Sequence, residues 1–147
     1  MINNEDVETS VALLEKSLAL VERSFTGVLG TIDRNGIPQL KAMIKTAATG
    51  IKEIWFCSNT SSKRVNQIHE NPNASLYFFD EKTFEGIMLS GKAEVSYDDN
   101  KRKEFWSEGM EIYYPLGCTD PDYALIKFVA YEGNYYHGLV NTDFIIE

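Results

Sequence analysis

The sequence predicts a mainly β protein: an antiparallel barrel with helices packed on its outside. About seven segments rich in β-branched and aromatic residues are separated by short turns, a spacing typical of barrels and sandwiches. Three helical segments are inserted without strict strand–helix alternation, so a doubly wound parallel sheet is disfavoured. With 147 residues and no linker or repeat, the chain is expected to form one domain, residues 1–147.

The first predicted element is a helix over about residues 5–22. Asn3 and Asn4 are suitable N-caps, and the acidic residues that follow favour the first turn of a helix. Apolar residues then recur every three or four positions, which predicts one stripe packed on the core. The stripe consists of Val7, Val11, Leu14, Leu18 and Val21.

A hairpin is predicted next, with strands at residues 25–32 and 39–45. The turn between them contains Asn35-Gly36, and Pro38 suits the first position of the return strand. Alternation divides the return strand into two faces, one with Leu40, Ala42 and Ile44 and the other with Lys41, Met43 and Lys45. The lysine face is either a solvated outer surface or a ligand surface.

The remaining elements follow in the order strand, helix, two strands, helix, two strands. Residues 46–50 are predicted as a turn, and so is Glu132-Gly133-Asn134. The predicted strands are residues 51–57, 74–79, 87–95, 123–131 and 135–139, and the predicted helices are residues 61–70 and 98–108. The second of these helices would carry Phe105 and Trp106.

The composition disfavours several classes of function. A formal charge of −8 opposes binding to a phosphate backbone, although a local cationic cluster can still hold a small anion. No apolar run is long enough to span a membrane, and the acidic N-terminus is unlike a signal peptide, so a cytoplasmic protein is expected. Two cysteines, Cys57 and Cys118, form no disulfide framework or CxxC pair, and two histidines indicate no metal site.

Residues 55–64, WFCSNTSSKR, read as a buried strand that runs through a hydroxyl-rich turn into a helix. The free N–H groups and the dipole of a helix N-terminus favour an anion. Hydroxyl groups are offered by Ser58, Thr60, Ser61 and Ser62, and Lys63 and Arg64 add positive charge. The turn is therefore either a phosphate site or simply a capped helix with solvated cations.

Two further groups could contact a ligand. Lys41 and Met43 could flank a planar ring, since a cation near the pyrimidine edge of a flavin would favour its reduced, anionic form. Phe105, Trp106 and the Tyr113-Tyr114 pair could form core, interface or a stacking wall. No GxSxG, Walker or GxGxxG motif is present, so no catalytic residue is predicted.

Five motifs in order carry a resemblance to a known family. They are Gly36-x-Pro38-x-x-Lys41-x-Met43, Ile54-Trp55-Phe56-Cys57-Ser58-Asn59-x-x-Ser62-Lys63, Asn71-Pro72-Asn73-Ala74, Ser90-Gly91-Lys92-Ala93-Glu94 and Pro115-x-Gly117-x-x-Asp120-Pro121-Asp122-Tyr123. Over about residues 25–136 the chain resembles the pyridoxamine 5′-phosphate oxidase-like, FMN-binding split barrels. It is most similar to the branch around general stress protein 26.

The resemblance implies a six-stranded antiparallel split barrel and a homodimer with FMN at the interface. It places Lys41 where the family usually has an arginine facing the flavin and its phosphate, and Met43 along the isoalloxazine. It implies cofactor contacts for Cys57 and Ser58, and phosphate contacts for the run Ser62, Lys63 and Arg64. It places Trp106 on the helix that approaches the flavin from the partner subunit.

The departures from the family pattern argue against one activity. Lys41 keeps the charge of an arginine but not its bidentate fork. Gly86 stands where the true oxidase has a cofactor-contacting glutamine, and the chain ends soon after Tyr136, without the segment that contacts pyridoxal phosphate. Pyridoxamine phosphate oxidation is therefore not expected.

The resemblance leaves three functional hypotheses. The first is an FMN-dependent oxidoreductase that acts on a small-molecule substrate or electron donor. The second is a non-catalytic carrier or stress protein that binds flavin or haem, and the third is a barrel that serves only as an interaction domain.

Overall fold

The computed structural model describes residues 4–147, with side chains from Ser10 onward. The predicted N-cap Asn3 and the side chains of Asn4 and Val7 lie outside the described part. The helices are α1 (Asn4–Arg23), α2 (Lys63–Glu70) and α3 (Asp99–Glu104), with 3₁₀ turns at Met110–Ile112 and Gly117–Thr119. The strands are β1 (Thr26–Ile32), β2 (Pro38–Thr49), β3 (Glu53–Asn59), β4 (Asn73–Asp80), β5 (Glu85–Ser96), β6 (Tyr123–His137) and β7 (Val140–Ile145).

Six strands close into an antiparallel barrel. They are hydrogen-bonded in the order β3-β2-β1-β4-β5-β6, and β6 pairs back onto β3 to close the ring. β7 pairs with β6 outside this ring. The predicted fold class, a six-stranded antiparallel barrel with peripheral helices, is confirmed. None of the helices within residues 4–147 combines the length and hydrophobicity needed to cross a membrane.

β6 is one strand of 15 residues, whereas two strands separated by a turn were predicted. Its first half lies between β3 and β5, and its second half lies between β7 and β5. The change occurs at a bulge, where Ser90 pairs with Glu132 and Gly91 pairs with Ala130, so that Tyr131 is the extra residue. The turn prediction was wrong, and β7 was missed, because Glu132-Gly133-Asn134 has a turn composition but continues the strand.

Gly133 explains how a turn-like sequence fits within β6. A Cβ atom at this position would lie 2.5 Å from the Phe144 ring on β7, so the glycine makes room for that ring. The turn lies further along the chain instead, where Gly138 adopts a φ of 63° between β6 and β7.

The barrel interior forms the main hydrophobic core. β4 illustrates the pattern, since Ala74, Leu76 and Phe78 point inward and their neighbours are more exposed. Ile54 and Phe56 of β3 enter the same core. Because many apolar side chains are removed from water here, this core supplies much of the stability of the barrel.

A second hydrophobic cluster covers the outer face of β3 and β6. It contains Trp55 and Leu125, which alternate with the interior residues of these strands, together with Tyr114 and Tyr123. Phe105, Trp106 and Met110 pack against it from the segment that follows α3. β3 and β6 are thus buried on both faces, which explains their nearly continuous apolar sequences.

α1 packs on the barrel through a different stripe from the predicted one. Leu20 and Val21 are fully buried and Ser17 is buried beside them, whereas Val11 and Leu14 are 49% and 40% exposed. Ser17 donates its hydroxyl proton to Leu13 O at 2.7 Å, which satisfies this buried polar group. The stripe prediction was therefore correct for Val21 and wrong for Val11 and Leu14.

Polar contacts hold the C-terminal end of α1. Lys45 Nζ donates to Val21 O and, at 3.3 Å, to Glu22 O, so a cation caps the negative end of the helix dipole. Arg23 forms ion pairs of 3.1 Å with both Asp80 and Glu85. Together these contacts fix α1 to β2 and to the β4–β5 hairpin.

Two boundaries also differ from prediction. β2 continues through the predicted 46–50 turn to Thr49, with a bulge between Lys45 and Ala47. α3 ends at Glu104, so Phe105 and Trp106 follow the helix instead of lying on it. The helix begins at the predicted place, where Asp98 accepts a 2.8 Å hydrogen bond from Lys101 N.

Gly91→Ala is expected to destabilise the barrel by about 3 kcal/mol, the upper part of the range for overpacking. A Cβ atom at Gly91 would lie 1.9 Å from Val129 O, and a backbone atom of a central strand cannot move aside. Urea denaturation measures the change. In the control Gly30→Ala, the new methyl group meets the exposed Leu40 side chain at 3.3 Å and Ser75 O at an ordinary contact distance of 3.5 Å, so equal losses in the two variants would contradict the argument.

Glu85→Gln is expected to reduce the loss of stability in acid. The hydrogen bond from the Tyr135 hydroxyl is the main cause that lowers the pKa of Glu85 below its ordinary 4.5. A carboxyl group whose pKa is lowered by folding stabilises the protein at pH values above its unfolded-state pKa. This stabilisation is lost as the pH falls through its folded-state pKa. The urea midpoint should therefore fall less below pH 4.5 in the variant than in the wild type, whereas Glu104→Gln on exposed α3 should follow the wild type.

Candidate functional site

A cleft opens where β2 and β3 separate. The two strands pair only from Lys45 to Thr49 and from Glu53 to Phe56. Beyond that point β2 stays with β1, while residues 57–59 of β3 stay with β6. The facing edges therefore have no strand partner, and their free backbone N–H and C=O groups can bond a ligand.

The cleft has a volume of about 480 Å³, within the range of small-molecule and cofactor sites. One wall is formed by residues 42–44 of β2 and another by residues 57–59 of β3. Arg64 of α2 and Asp122 at the start of β6 supply charged groups. Ile112, Tyr113 and Tyr114, from the segment after α3, complete the lining.

The predicted hydroxyl-rich turn joins β3 to α2 beside the cleft. Ser62 is the N-cap of α2 and accepts a 3.3 Å hydrogen bond from Val65 N. Its hydroxyl group also lies 3.3 Å from that of Ser58, which is buried and lines the cleft. This arrangement brings the N-terminus of α2, with its unpaired N–H groups, to the edge of the cleft.

Asp122 occupies part of the same turn. Its Oδ1 accepts from Thr60 Oγ1 at 2.9 Å and, at 3.4 Å, from both the backbone N–H and the hydroxyl group of Ser61. Its carbonyl oxygen accepts from Thr60 N at 2.9 Å. Thr60 and Ser61 therefore bind a carboxylate of the chain itself, while Ser58 and Ser62 remain beside the cleft.

Arg64 is the cation that the cleft leaves without an acceptor. Its side chain is partly buried, and burial lowers the pKa of the guanidinium without discharging it. Nε is enclosed and has no hydrogen-bond partner, and no carboxylate within residues 10–147 pairs with the group. An enclosed, unpaired charged donor is unfavourable, so the site is complementary to an anion.

Asp120 and Arg102 hold the segment that carries the tyrosine wall. Asp120 is 6% exposed, and its carboxylate accepts from Leu116 N at 3.1 Å and from Asp122 N at 2.9 Å. Arg102 Nη1 donates to Asp120 O at 3.2 Å and to Tyr123 O at 3.0 Å. These contacts fix both ends of residues 116–122 relative to α3 and β6.

Four predicted cofactor residues line the cleft: Met43, Cys57, Ser58 and Arg64. Ser62 contacts this group through Ser58. Lys41 and Lys63 are exposed and are not part of the lining, and Trp106 packs behind the wall with its ring 6.3 Å from that of Tyr114.

The lysine face of β2 is only partly solvated. Met43 is 4% exposed in the main core and Lys45 reaches α1, so only Lys41 at the end of this face is solvated. The opposite face of the strand contributes Ala42 and Ile44 to the cleft.

Asp122 is the main cleft residue that sequence reasoning left without a role. It belongs to one of the motifs that carried the resemblance, but its partners, Thr60 and Ser61, lie about sixty positions earlier in the chain. Only the pairing of β3 with β6 brings them together, with Asn59 opposite Tyr123. No local sequence signal could have indicated this contact.

Comparison with protein-family models supports the family resemblance carried by the sequence motifs. The family model described as "Pyridoxamine 5′-phosphate oxidase like" matches residues 13–146. The chain belongs to this family. A comparison with functionally curated proteins found no match.

Two solved structures with folds similar to this chain are a general stress protein and a protein related to one. A Clostridium acetobutylicum protein related to general stress protein 26 of Bacillus subtilis is 41% identical, with a TM-score of 0.85 over 92% of this chain and 95% of that one. General stress protein 26 of Bacillus anthracis shares the fold at 24% identity, with a TM-score of 0.77 over 91% and 98% of the two chains. A haem-binding protein of Mycobacterium smegmatis shares the fold at 14% identity, with a TM-score of 0.73 over 90% of this chain and 57% of that one.

Asp120→Asn is expected to loosen the tyrosine wall and to destabilise the protein by about 1–3 kcal/mol, because one of two buried N–H groups would face an amide donor. Hydrogen exchange at Leu116 and Asp122 should accelerate more than exchange in β4. The control Asp33→Asn alters a similar pair of backbone contacts in the exposed β1–β2 turn. Unchanged protection of Leu116 and Asp122 would contradict the assigned role.

Proposed function

We propose that the cleft binds FMN and that the protein is an FMN-dependent oxidoreductase. The observation that carries the proposal is Arg64, a partly buried cation beside the N-terminus of α2, whose enclosed Nε has no acceptor within the described residues. A phosphate monoester supplies the charge and the acceptor oxygens that this end of the cleft lacks.

The other end of the cleft suits a planar ring with polar edges. The separated edges of β2 and β3 offer backbone donors and acceptors, and Ala42, Ile44 and Cys57 supply apolar contacts. When bound, the flavin would supply hydride or electron transfer. The chain's own residues would bind and orient it, with Ser58, Ser62 and Arg64 at the phosphate and Met43 and Cys57 nearer the ring.

The proposal also includes three predicted residues that do not line the cleft, namely Lys41, Lys63 and Trp106. Lys63 begins α2 and would add charge near the phosphate from the solvent side. Lys41 and Trp106 do not line the cleft of one chain, so cofactor contacts by them are proposed only within a homodimer. The cleft residues Ile112 and Tyr113 are 82% and 68% exposed, which favours a second copy covering the mouth of the cleft.

Pyridoxamine phosphate oxidation is not part of the proposal. Gly86 stands where the oxidase has a glutamine. A Cβ atom here would lie 2.3 Å from the Tyr136 ring and 2.7 Å from the Tyr77 hydroxyl. These tyrosines form a 2.8 Å hydrogen bond to each other, so the position has no room for a longer side chain. The substrate is therefore proposed only as a small molecule or electron donor.

A haem carrier is the alternative that the Mycobacterium smegmatis neighbour raises. Neither histidine of this chain lines the cleft, and burial raises the pKa of the Cys57 thiol, which disfavours a thiolate ligand. These features favour FMN over haem. The absorption spectrum of the purified protein distinguishes the two, and reduction of bound flavin by NAD(P)H distinguishes an enzyme from a flavin carrier.

Arg64→Ala is expected to weaken FMN binding by about 1.5–3 kcal/mol, the range for hydrogen bonds to charged groups. Fluorescence titration of the apoprotein measures the dissociation constant. Lys63→Ala is expected to act in the same direction with a smaller loss, because Lys63 is exposed. The matched control is Arg34→Ala, since Arg34 lies in the β1–β2 turn and pairs with Glu70 on the surface. Equal affinity of Arg64→Ala and the wild type would remove the main support for the proposal.

A further inference from the structure

The Tyr114 side chain lies in the wall of the cleft and is held there by neighbouring rings. It is 5% exposed, and its ring centroid is 5.0 Å from that of Tyr123 and 6.3 Å from that of Trp106. The backbone N–H of Tyr114 donates to Met110 O at 3.0 Å. Because the ring is packed and the backbone is fixed, the hydroxyl group has a defined position at the cleft surface.

The Tyr114 hydroxyl has no hydrogen-bond partner within the described part of the chain. The other buried tyrosines have one: Tyr123 donates to Arg102 O at 3.0 Å, and Tyr135 donates to Glu85. Buried phenol groups normally find an acceptor. The Tyr114 hydroxyl oxygen is not fully enclosed, so it retains access to the cleft that the residue lines.

Arg64 and Tyr114 both bring a hydrogen-bond donor without an acceptor to the same cavity. Both line the cleft, both lack an acceptor, and the two groups interact electrostatically. Asp122 also lines the cleft, but its Oδ1 is bonded to Thr60 and Ser61, and within the described residues no hydrogen bond or ion pair joins its carboxylate to Arg64 or Tyr114. Two hydrogen-bond donors without an acceptor are complementary to an oxyanion.

The phenol is a donor over the whole physiological pH range. Desolvation, followed by the nearby Cys57 and Asp122, raises the pKa of Tyr114 well above its ordinary value of 10, and Arg64 only partly opposes this shift. A raised pKa keeps the proton on the oxygen, and a neutral phenol can donate to an anion without charge repulsion.

We propose that Tyr114 is a ligand-binding residue that donates its hydroxyl hydrogen bond to the same phosphate group that Arg64 binds. This inference rests on the proposed function for the identity of the ligand, but the contact itself requires only a phosphate. Tyr114 thereby becomes a specificity-determining residue, since the bond is made to a phosphate monoester and is missing with the neutral, dephosphorylated ligand.

The test compares Tyr114→Phe with the wild type, using FMN and riboflavin as ligands. Loss of a hydrogen bond to a charged group should raise the dissociation constant for FMN by about 10- to 150-fold and leave that for riboflavin unchanged. Tyr97→Phe is the matched control, because Tyr97 is 48% exposed and does not line the cleft. An unchanged FMN constant, or equal losses for FMN and riboflavin, would overturn the inference.

A second probe separates this inference from the proposed function. Inorganic phosphate should raise the unfolding temperature of the wild type and of Tyr97→Phe, and should raise that of Tyr114→Phe less. This result would support the Tyr114 contact even if the wild type bound no flavin, in which case only the proposed function fails. Equal phosphate shifts in all three proteins, or none in any, would overturn the Tyr114 contact. Because the hydroxyl has no partner in the folded chain, the unliganded variants should unfold at the wild-type temperature.

Discussion

β3 cannot pair along its whole length with both of its neighbours, and the candidate site is a consequence of this constraint. All seven of its residues pair with β6, which closes the barrel, whereas pairing with β2 ends at Phe56. β6 is favoured because both faces of this strand pair are buried, by the barrel interior on one side and by the second cluster on the other. β2 follows β1 away from the gap, so closure of the ring and opening of the cleft occur together.

The second cluster gives the cleft a rigid wall without an additional helix. Tyr114 and Tyr123 share this cluster with Trp55, and the chain between the two tyrosines is held by Asp120 and Arg102. Residues in such a segment would otherwise be mobile, because only two short 3₁₀ turns are present. Packing of aromatic rings against β3 therefore links the stability of the barrel to the geometry of the site, and a loosened cluster would also displace the cleft wall.

The sequence predicted the parts of this structure that depend on local patterns. The strand β4, the helix that follows the hydroxyl-rich turn and the position of Arg64 beside that turn all follow from residues close together in the chain. The cap was expected at Thr60 or Ser61 and lies at Ser62 instead. The continuous β6 could not be predicted, because Gly133 is explained only by the Phe144 ring on β7, a strand whose exposed residues carry little pattern. The α1 stripe was misassigned for a related reason. Periodicity indicates that a helix has an apolar face, but the barrel surface that the helix contacts determines which of its residues are buried.

The charge distribution is compatible with the proposed binding of an anion by an acidic protein. Asp122 brings a negative charge to the cleft, and three donors from Thr60 and Ser61 converge on its Oδ1 and stabilise this charge within the turn. Arg64 has no such hydrogen-bond partners within the described residues, and its field acts across a partly enclosed space where screening is weak. The overall charge of −8 acts at longer range and is reduced by salt. If the cleft binds a phosphate as proposed, selection between a charged and a neutral ligand depends on Arg64 and the groups that face it more than on the net charge of the chain.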